Sequence, residues 1–215
     1  MERKALRKFA DPAKPKPRTG LPRQAYCGTP DNARMHCPIG IASALALLLA
    51  GCSPALNWRS VPLESAGLTV LLPCKPDHAT RSVDLGGRPA DLAMVGCEAD
   101  GATFAVSHMV VEDPSQAGAV LAQWRAAVLA RMQAPAAGDA EAGAVAFVPA
   151  GALALPQSVR LQAQGRRSDG GAVIAQAVWF ARMEGRQARL YHAVVYTDAP
   201  RMAVADTFFA GLALP

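Results

Sequence analysis

The 215-residue chain lacks most of the signatures by which an activity is read from sequence. It has no Gly-x-Ser-x-Gly, no Ser-x-x-Lys and no His-Glu-x-x-His, so the common signatures of serine and zinc hydrolases are missing. No Cys-x-x-Cys is present to lower a thiol pKa. Gly165-Arg-Arg-Ser-Asp-Gly-Gly171 has glycines but no Gly-Lys-Ser/Thr, so it is not a P-loop. No cofactor motif is found and none is expected. No apolar run reaches the ~20 residues of a membrane-spanning helix, and no heptad or collagen-like repeat is visible. What remains is 51% apolar and only 18% charged, enough to bury a core and too little charge for a disordered chain.

The formal net charge of +5 invites a nucleic-acid or membrane reading, so its location matters. Residues 1–36 hold nine basic and three acidic groups, and the remaining 13 basic and 14 acidic groups leave −1. From Cys52 onward no basic stripe suited to a phosphate backbone is visible, and no nucleic-acid partner is expected.

Residues 1–37 form a basic leader containing the low-complexity run Pro12-Ala-Lys-Pro-Lys-Pro-Arg18. It is longer than a usual n-region, and much of 1–34 reads as an over-extended gene start. Residues 38–51 carry no charge, and the core Ile41-Ala-Ser-Ala-Leu-Ala-Leu-Leu-Leu-Ala50 has the length of a secretory h-region. It ends in Leu49-Ala50-Gly51-Cys52, followed by Ser53-Pro54. Those four residues resemble the lipobox of bacterial lipoproteins. The resemblance implies cleavage between Gly51 and Cys52 and acylation of the Cys52 thiol. Buried acyl chains contribute about 0.8 kcal/mol per CH₂, so two or three would hold a domain on a lipid bilayer almost permanently. Ser53, which is not Asp, implies outer-membrane sorting in the periplasm, with the inner membrane as the alternative.

Residues 52–66 read as a tether and 67–215 as a single α+β domain. Leu68–Leu72 is a short strand stopped by Pro73. Arg81–Leu85 and Ala90–Cys97 form a hairpin about Gly86-Gly87, and Asp100-Gly101 is a two-residue turn signal leading into a strand at Thr103–Val111. Asp113-Pro114-Ser115-Gln116 opens a helix, with Asp113 as N-cap, Pro114 at the first position and Gln116 placed to close a capping box. Ala117, Val120, Leu121, Trp124, Val128 and Met132 follow at helical spacing. The Ala/Gly-rich segment 134–143 is a loop and Val145–Val148 a short strand. Ser158–Gln164, Val173–Arg182 and Arg189–Thr197 are three further strands. Pro200 opens a last helix with Ala205, Phe208, Phe209 and Leu212 inward. Consecutive strands joined by tight turns are antiparallel, so the expected fold is an antiparallel sheet of six to seven strands with two helices packed on it.

This order of elements, with Leu72-Pro73 closing the first strand and Asp206-Thr-Phe-Phe-Ala-Gly-Leu-Ala-Leu214 closing the chain, resembles small α+β sandwich proteins of the PsbP-like kind. The resemblance covers roughly 67–214. Cys74-Lys-Pro-Asp77 and Gly96-Cys97-Glu98 are similar to segments of an uncharacterised bacterial lipoprotein family, a similarity that implies no activity.

Cys74 and Cys97 are the thiols left beside Cys52 in the exported part. An even pair in an oxidising compartment reads as a disulfide between neighbouring strand ends, worth roughly 3 kcal/mol in the chain-entropy model. The competing use is a metal or thiol-handling site from Cys74, His78 and Cys97, with Asp77 or Glu98 as a fourth ligand. His108 alternates with Phe104 and Val106, and His192 with Leu190 and Val194. Two strand histidines facing each other would make a dispersed enzyme site. Arg166-Arg167 reads as a solvated turn, and Trp124, Trp179 and Phe180 as core. The preferred reading is a non-enzymatic, lipid-anchored binding or accessory module with an envelope protein or small ligand as partner.

Overall fold

A computed structural model of the chain describes residues 55–84, 89–134 and 143–215. The leader, the h-region, Gly51 and Cys52, the Gly86-Gly87 turn and most of the 134–143 loop lie outside the described residues.

The elements run β1 (Arg59–Leu63), β2 (Leu68–Leu72), β3 (Asp77–Asp84), β4 (Pro89–Ala99), β5 (Ala102–Val111), α1 (Ala117–Arg131), β6 (Val145–Ala146), β7 (Val159–Arg166), β8 (Ala172–Glu184), β9 (Gln187–Thr197) and α2 (Met202–Ala210). The class is α+β, as expected. Seven strands form one sheet in the order β3-β4-β5-β9-β8-β7-β6, antiparallel throughout. The order follows from two meanders, β3–β5 and β6–β9, whose last strands pair with each other. Helix α1 carries the chain from the end of the first meander to the far edge.

Part of the expected tether is fold. Arg59–Leu63 pairs antiparallel with β2 in a separate two-stranded ribbon, Arg59 opposite Leu72 and Leu63 opposite Leu68. The domain therefore begins before residue 67. Val61 and Leu63 alternate with exposed neighbours too weakly to announce a strand. It is the partner strand and the core beneath it that fix this segment.

The β3–β4 and β4–β5 hairpins form, the first with a longer outer strand, Asp77–Asp84, than the Arg81–Leu85 expected. Asp100 and Gly101 both take positive φ, 50° and 70°, as a type I′ turn requires. At the start of the helical segment, the Asp113 carboxylate accepts from the Ser115 N–H (2.9 Å) and Oγ (2.7 Å). This closes a 3-10 turn over Pro114–Gln116 before α1 proper begins at Ala117. The cap is as expected: Ser115 bonds the Asp113 side chain, and Gln116 gives its backbone N–H to the Asp113 carbonyl.

The layers are α1, the seven-stranded sheet, and then the β1–β2 ribbon with α2. The helices lie on opposite faces. On the ribbon face, Leu68, Val70 and Leu72 of β2 and Phe208, Phe209 and Leu212 at the C-terminal end close over Phe104, Val106, Val178, Phe180 and Tyr191. On the helix face, Ala117, Leu121, Trp124 and Leu129 of α1 cover Leu92, Met94, Leu161, Trp179 and Val194. A disulfide joins Cys74, just after β2, to Cys97 in β4, with Cα atoms 5.9 Å apart. The cysteines meet across layers, not at neighbouring strand ends, so the bond pins the ribbon to the sheet.

Candidate functional site

The sheet's pairing decides which side chains can act together, because successive residues point to opposite faces. Ser107 lies opposite His192 and His108 opposite Tyr191. His108 therefore faces the ribbon side and His192 the α1 side. The two histidines cannot converge, and a dispersed site built on both is excluded by the register.

His108 belongs to a polar cluster at one end of the ribbon face. Its Nδ1 lies 3.0 Å from Arg189 Nη1, so this nitrogen accepts. Arg189 also donates to Glu184 (2.7 Å), which lies 3.5 Å from Arg182. Burial, then the Arg189 charge, pushes the His108 pKa down to about 4, against the opposing pull of Glu184. The neighbouring Tyr191 donates its hydroxyl to the Ala66 carbonyl at 2.6 Å. These contacts tie the strands to the turn after β1, although Nε of Arg182 is buried with no hydrogen-bond partner.

The Cys74–His78–Cys97 metal reading is likewise corrected. Both sulfurs are spent on each other, and His78 sits exposed on edge strand β3, opposite Val95. Among the described residues no three His, Cys, Asp or Glu side chains lie together as a metal site.

What the fold does assemble is a pocket on the helix face, of about 150 Å³, between α1 and strands β3, β4, β5, β7 and β9. Its walls are apolar where they are deepest: Leu92, Met94, Trp124 and Val194 are all buried. Four arginines, Arg81, Arg131, Arg166 and Arg167, line it, and among the described lining residues there is no carboxylate. Arg81 comes from β3, Arg131 from the last turn of α1, and Arg166 and Arg167 from the end of β7. These sequence positions are far apart, and only the α1 crossover brings them together. Gly165 makes the approach possible, because a Cβ there would collide with the Met132 carbonyl. That carbonyl accepts from the Arg166 N–H at 2.6 Å, docking the C-terminal end of α1 onto β7.

His192 contributes to the same wall. It is only 4% exposed, stacks on Trp179 (centroids 4.5 Å apart) and takes the edge of Trp124 at 5.6 Å. Burial pushes its pKa down to about 3, so the ring is neutral at ordinary pH. Its Nε2 is buried and has no hydrogen-bond partner, as do Nε of Arg81 and Nε of Arg167. Buried polar atoms left unpaired are uncommon and call for a reason. Burial also lowers the Arg81 pKa, with the nearby Arg131 charge adding to the effect and Tyr196 opposing it. Burial pushes Tyr196 in the same wall up to about 12.

Arg166-Arg167 is therefore not a simple solvated turn. The Arg167 side chain is 9% exposed and ion-paired with Asp198, while the Arg166 guanidinium donates to the Gly170 carbonyl at 3.1 Å. Charge tallied along the chain missed this cluster, since Arg81 and Arg131 stand alone in sequence. The legible signal was phase: Arg81 shares the face of Ala79 and Val83, opposite Leu92 and Met94.

No protein-family model matches the chain, and no curated protein matches it. Among solved structures, a Pseudomonas aeruginosa protein of unknown function is similar, at 15% identity over 74% of this chain and 97% of that chain, with a TM-score of 0.33.

Proposed function

We propose that the protein is a lipoprotein of a bacterial envelope, cleaved before Cys52, acylated on that thiol and held on the periplasmic side of the outer membrane. Its α+β domain acts there as a binding or accessory module. The leader supports the export half of this reading: an uncharged h-region runs directly into Leu49-Ala50-Gly51-Cys52, with Ser53 next. Among the described residues no helix is long and apolar enough to cross a membrane, so attachment by acyl chains at Cys52 supplies the anchor in this reading.

The observation that carries the reading furthest is the Cys74–Cys97 bond. Disulfides persist in oxidising compartments such as the periplasm and are rare in the cytosol. The binding half draws on the pocket under α1, whose apolar walls hold few and convergent polar groups, the composition usual for ligand sites.

The test is acylation. Cells fed radiolabelled palmitate are expected to label the wild-type product, and Cys52→Ser is expected to abolish the label and leave an uncleaved, larger precursor. Equal label in the two proteins would end the envelope assignment.

A further inference from the structure

We propose that the pocket on the helix face binds a small amphiphilic oxyanion, its carboxylate or phosphate head held by the arginines at the mouth and its short apolar body lying against Met94, Trp124 and Val194. The proposal rests on reading the domain as a binding module and does not require the anchor at Cys52.

Charge selects the head. Four arginines line one opening, Arg167 among them already paired with Asp198, and among the described lining residues there is no carboxylate. Like charges held together repel, and an anion between them relieves that repulsion. The planar guanidinium fork matches both carboxylate and phosphate with paired N–H donors. The Nε atoms of Arg81 and Arg167 are already buried without a partner, so part of the desolvation a ligand would impose has occurred in the fold itself. Arg167 holds Asp198, which keeps its guanidinium oriented, while Arg131 and Arg166 lie exposed at the entrance.

The interior selects the tail. Exposure falls from Arg131 and Arg166 at the mouth to Met94, Trp124, His192 and Val194 inside, so the head belongs outside and the apolar body within. Neutral His192 adds one uncharged polar point that tolerates an apolar neighbour. The volume, about 150 Å³, is half the lower end of the range for drug-sized ligands, about 300 Å³, so the ligand is small.

The full chain, as purified from cells, is titrated with hexanoate, hexyl phosphate, 1-hexanol, acetate and inorganic phosphate. Binding is read by calorimetry and by tryptophan fluorescence, since Trp124 and Trp179 both touch His192. At least one of the two six-carbon anions is expected to bind about tenfold or more tighter than hexanol, and tighter by a similar factor than its headgroup alone. Arg81→Gln and Arg166→Gln are each expected to weaken that anion about fivefold or more, whereas Arg186→Gln, in the exposed β8–β9 turn, leaves it unchanged. Arg166 is exposed, so its variant still reads the site where Arg81→Gln fails to fold. Hexanol binding as tightly as the anions would overturn the oxyanion assignment and leave a binding module standing. Saturation by none of the five probes would overturn both. Anion affinity untouched by Arg166→Gln would also sink the assignment, as would inorganic phosphate or acetate matching its six-carbon counterpart.

Discussion

On its ribbon face the seven-stranded sheet meets two elements, the β1–β2 ribbon and α2, and a disulfide clamps that layer in place. On its helix face it meets α1, with Leu153 and Leu155 of the β6–β7 connection packed at the margin. The ribbon face takes most of the large rings: Phe104, Phe180, Tyr191, Phe208 and Phe209, with Trp58 and Phe147 packed at the margin. Phe104 touches both Trp58 and Phe208 edge-on at 5.6 and 5.5 Å, and Phe180 stacks on Tyr191 at 4.8 Å. The Tyr191 hydroxyl there donates to the Ala66 carbonyl, while Nε of Arg182 and Oγ1 of Thr197 are buried with no partner. The helix face has alanines at Ala163, Ala175, Ala177, Ala181 and Ala188, fewer rings, a cavity at one end of α1, and buried nitrogens with nothing to bond. Both faces keep buried polar atoms without partners, but on the helix face those of Arg81, Arg167 and His192 belong to residues that line a cavity. Space and unpartnered polar atoms side by side are what the proposed ligand would fill.

The largest expected effect tests how completely the ribbon face is filled. Phe208→Ala removes a fully buried ring held by Phe104 and Phe209 and is expected to cost about 3–5 kcal/mol in urea unfolding. Val128→Ala, half-buried at the pocket wall, is expected to cost about 1 kcal/mol or less, since its removal enlarges a space that already exists. Equal losses at the two sites would erase the contrast. Next comes the clamp. The Cys74→Ala, Cys97→Ala double variant is expected to lose about 3 kcal/mol, because the bond closes a loop with a sequence separation of 23. Addition of reductant to the wild type should reproduce that loss, and the double variant should then be insensitive to it.

Local chemistry explains why most of the fold was readable in advance. Asp100-Gly101, Asp113-Pro114 and the period-two runs of β5, β8 and β9 are signals within a few residues of the structure they specify. β1 was missed because Arg59-Ser-Val-Pro-Leu63 has no turn signal joining it to β2; a 3-10 turn at Glu64–Ala66 and an αL Gly67 make the link instead. The candidate site was scarcely legible. Single histidines drew attention because their chemistry is conspicuous, yet register sends His108 and His192 to different faces. The arginine cluster is a product of topology, assembled from β3, α1 and β7, and no local window contains it.

The opposite placement of the histidines makes the comparison testable by pH. Each has a folded pKa, about 4 for His108 and about 3 for His192, below the ordinary value of 6.5. Each therefore favours folding fully above pH 6.5, where folded and unfolded states are both neutral. That contribution is lost as pH falls from 6.5 toward the folded pKa, because the unfolded state takes up the proton first. The expected slope is up to about 1.4 kcal/mol per pH unit for each histidine. His192→Phe should remove one histidine's share from the acid limb while leaving the ribbon-face cluster intact. His108→Phe removes the other share but also takes the acceptor from Arg189, so its stability at pH 7 should fall as well. Urea midpoints measured between pH 7 and pH 4 separate the two.

The smallest effect is the most discriminating, because one substitution is expected to change sign between the faces. Ala193 on β9 is fully buried on the ribbon face, opposite Val106 on one side and Val178 on the other. Ala193→Val adds two methyl groups where no space remains and is expected to cost about 1–3 kcal/mol by overpacking. Ala105 on β5 lies opposite Gly96 and Val194 and lines the pocket. Ala105→Val adds the same atoms into open volume and places a β-branched residue on a strand, where it packs well. It is expected to be neutral or to stabilise by about 0.5–1 kcal/mol. The same variant should weaken hexanoate or hexyl phosphate, since its methyl groups occupy the space assigned to the apolar body. Gain of stability with loss of ligand is the behaviour of a cavity kept open for binding. If Ala105→Val instead destabilises as much as Ala193→Val, the helix face is packed as tightly as the ribbon face, and the unpartnered nitrogens of Arg81, Arg167 and His192 need a different explanation.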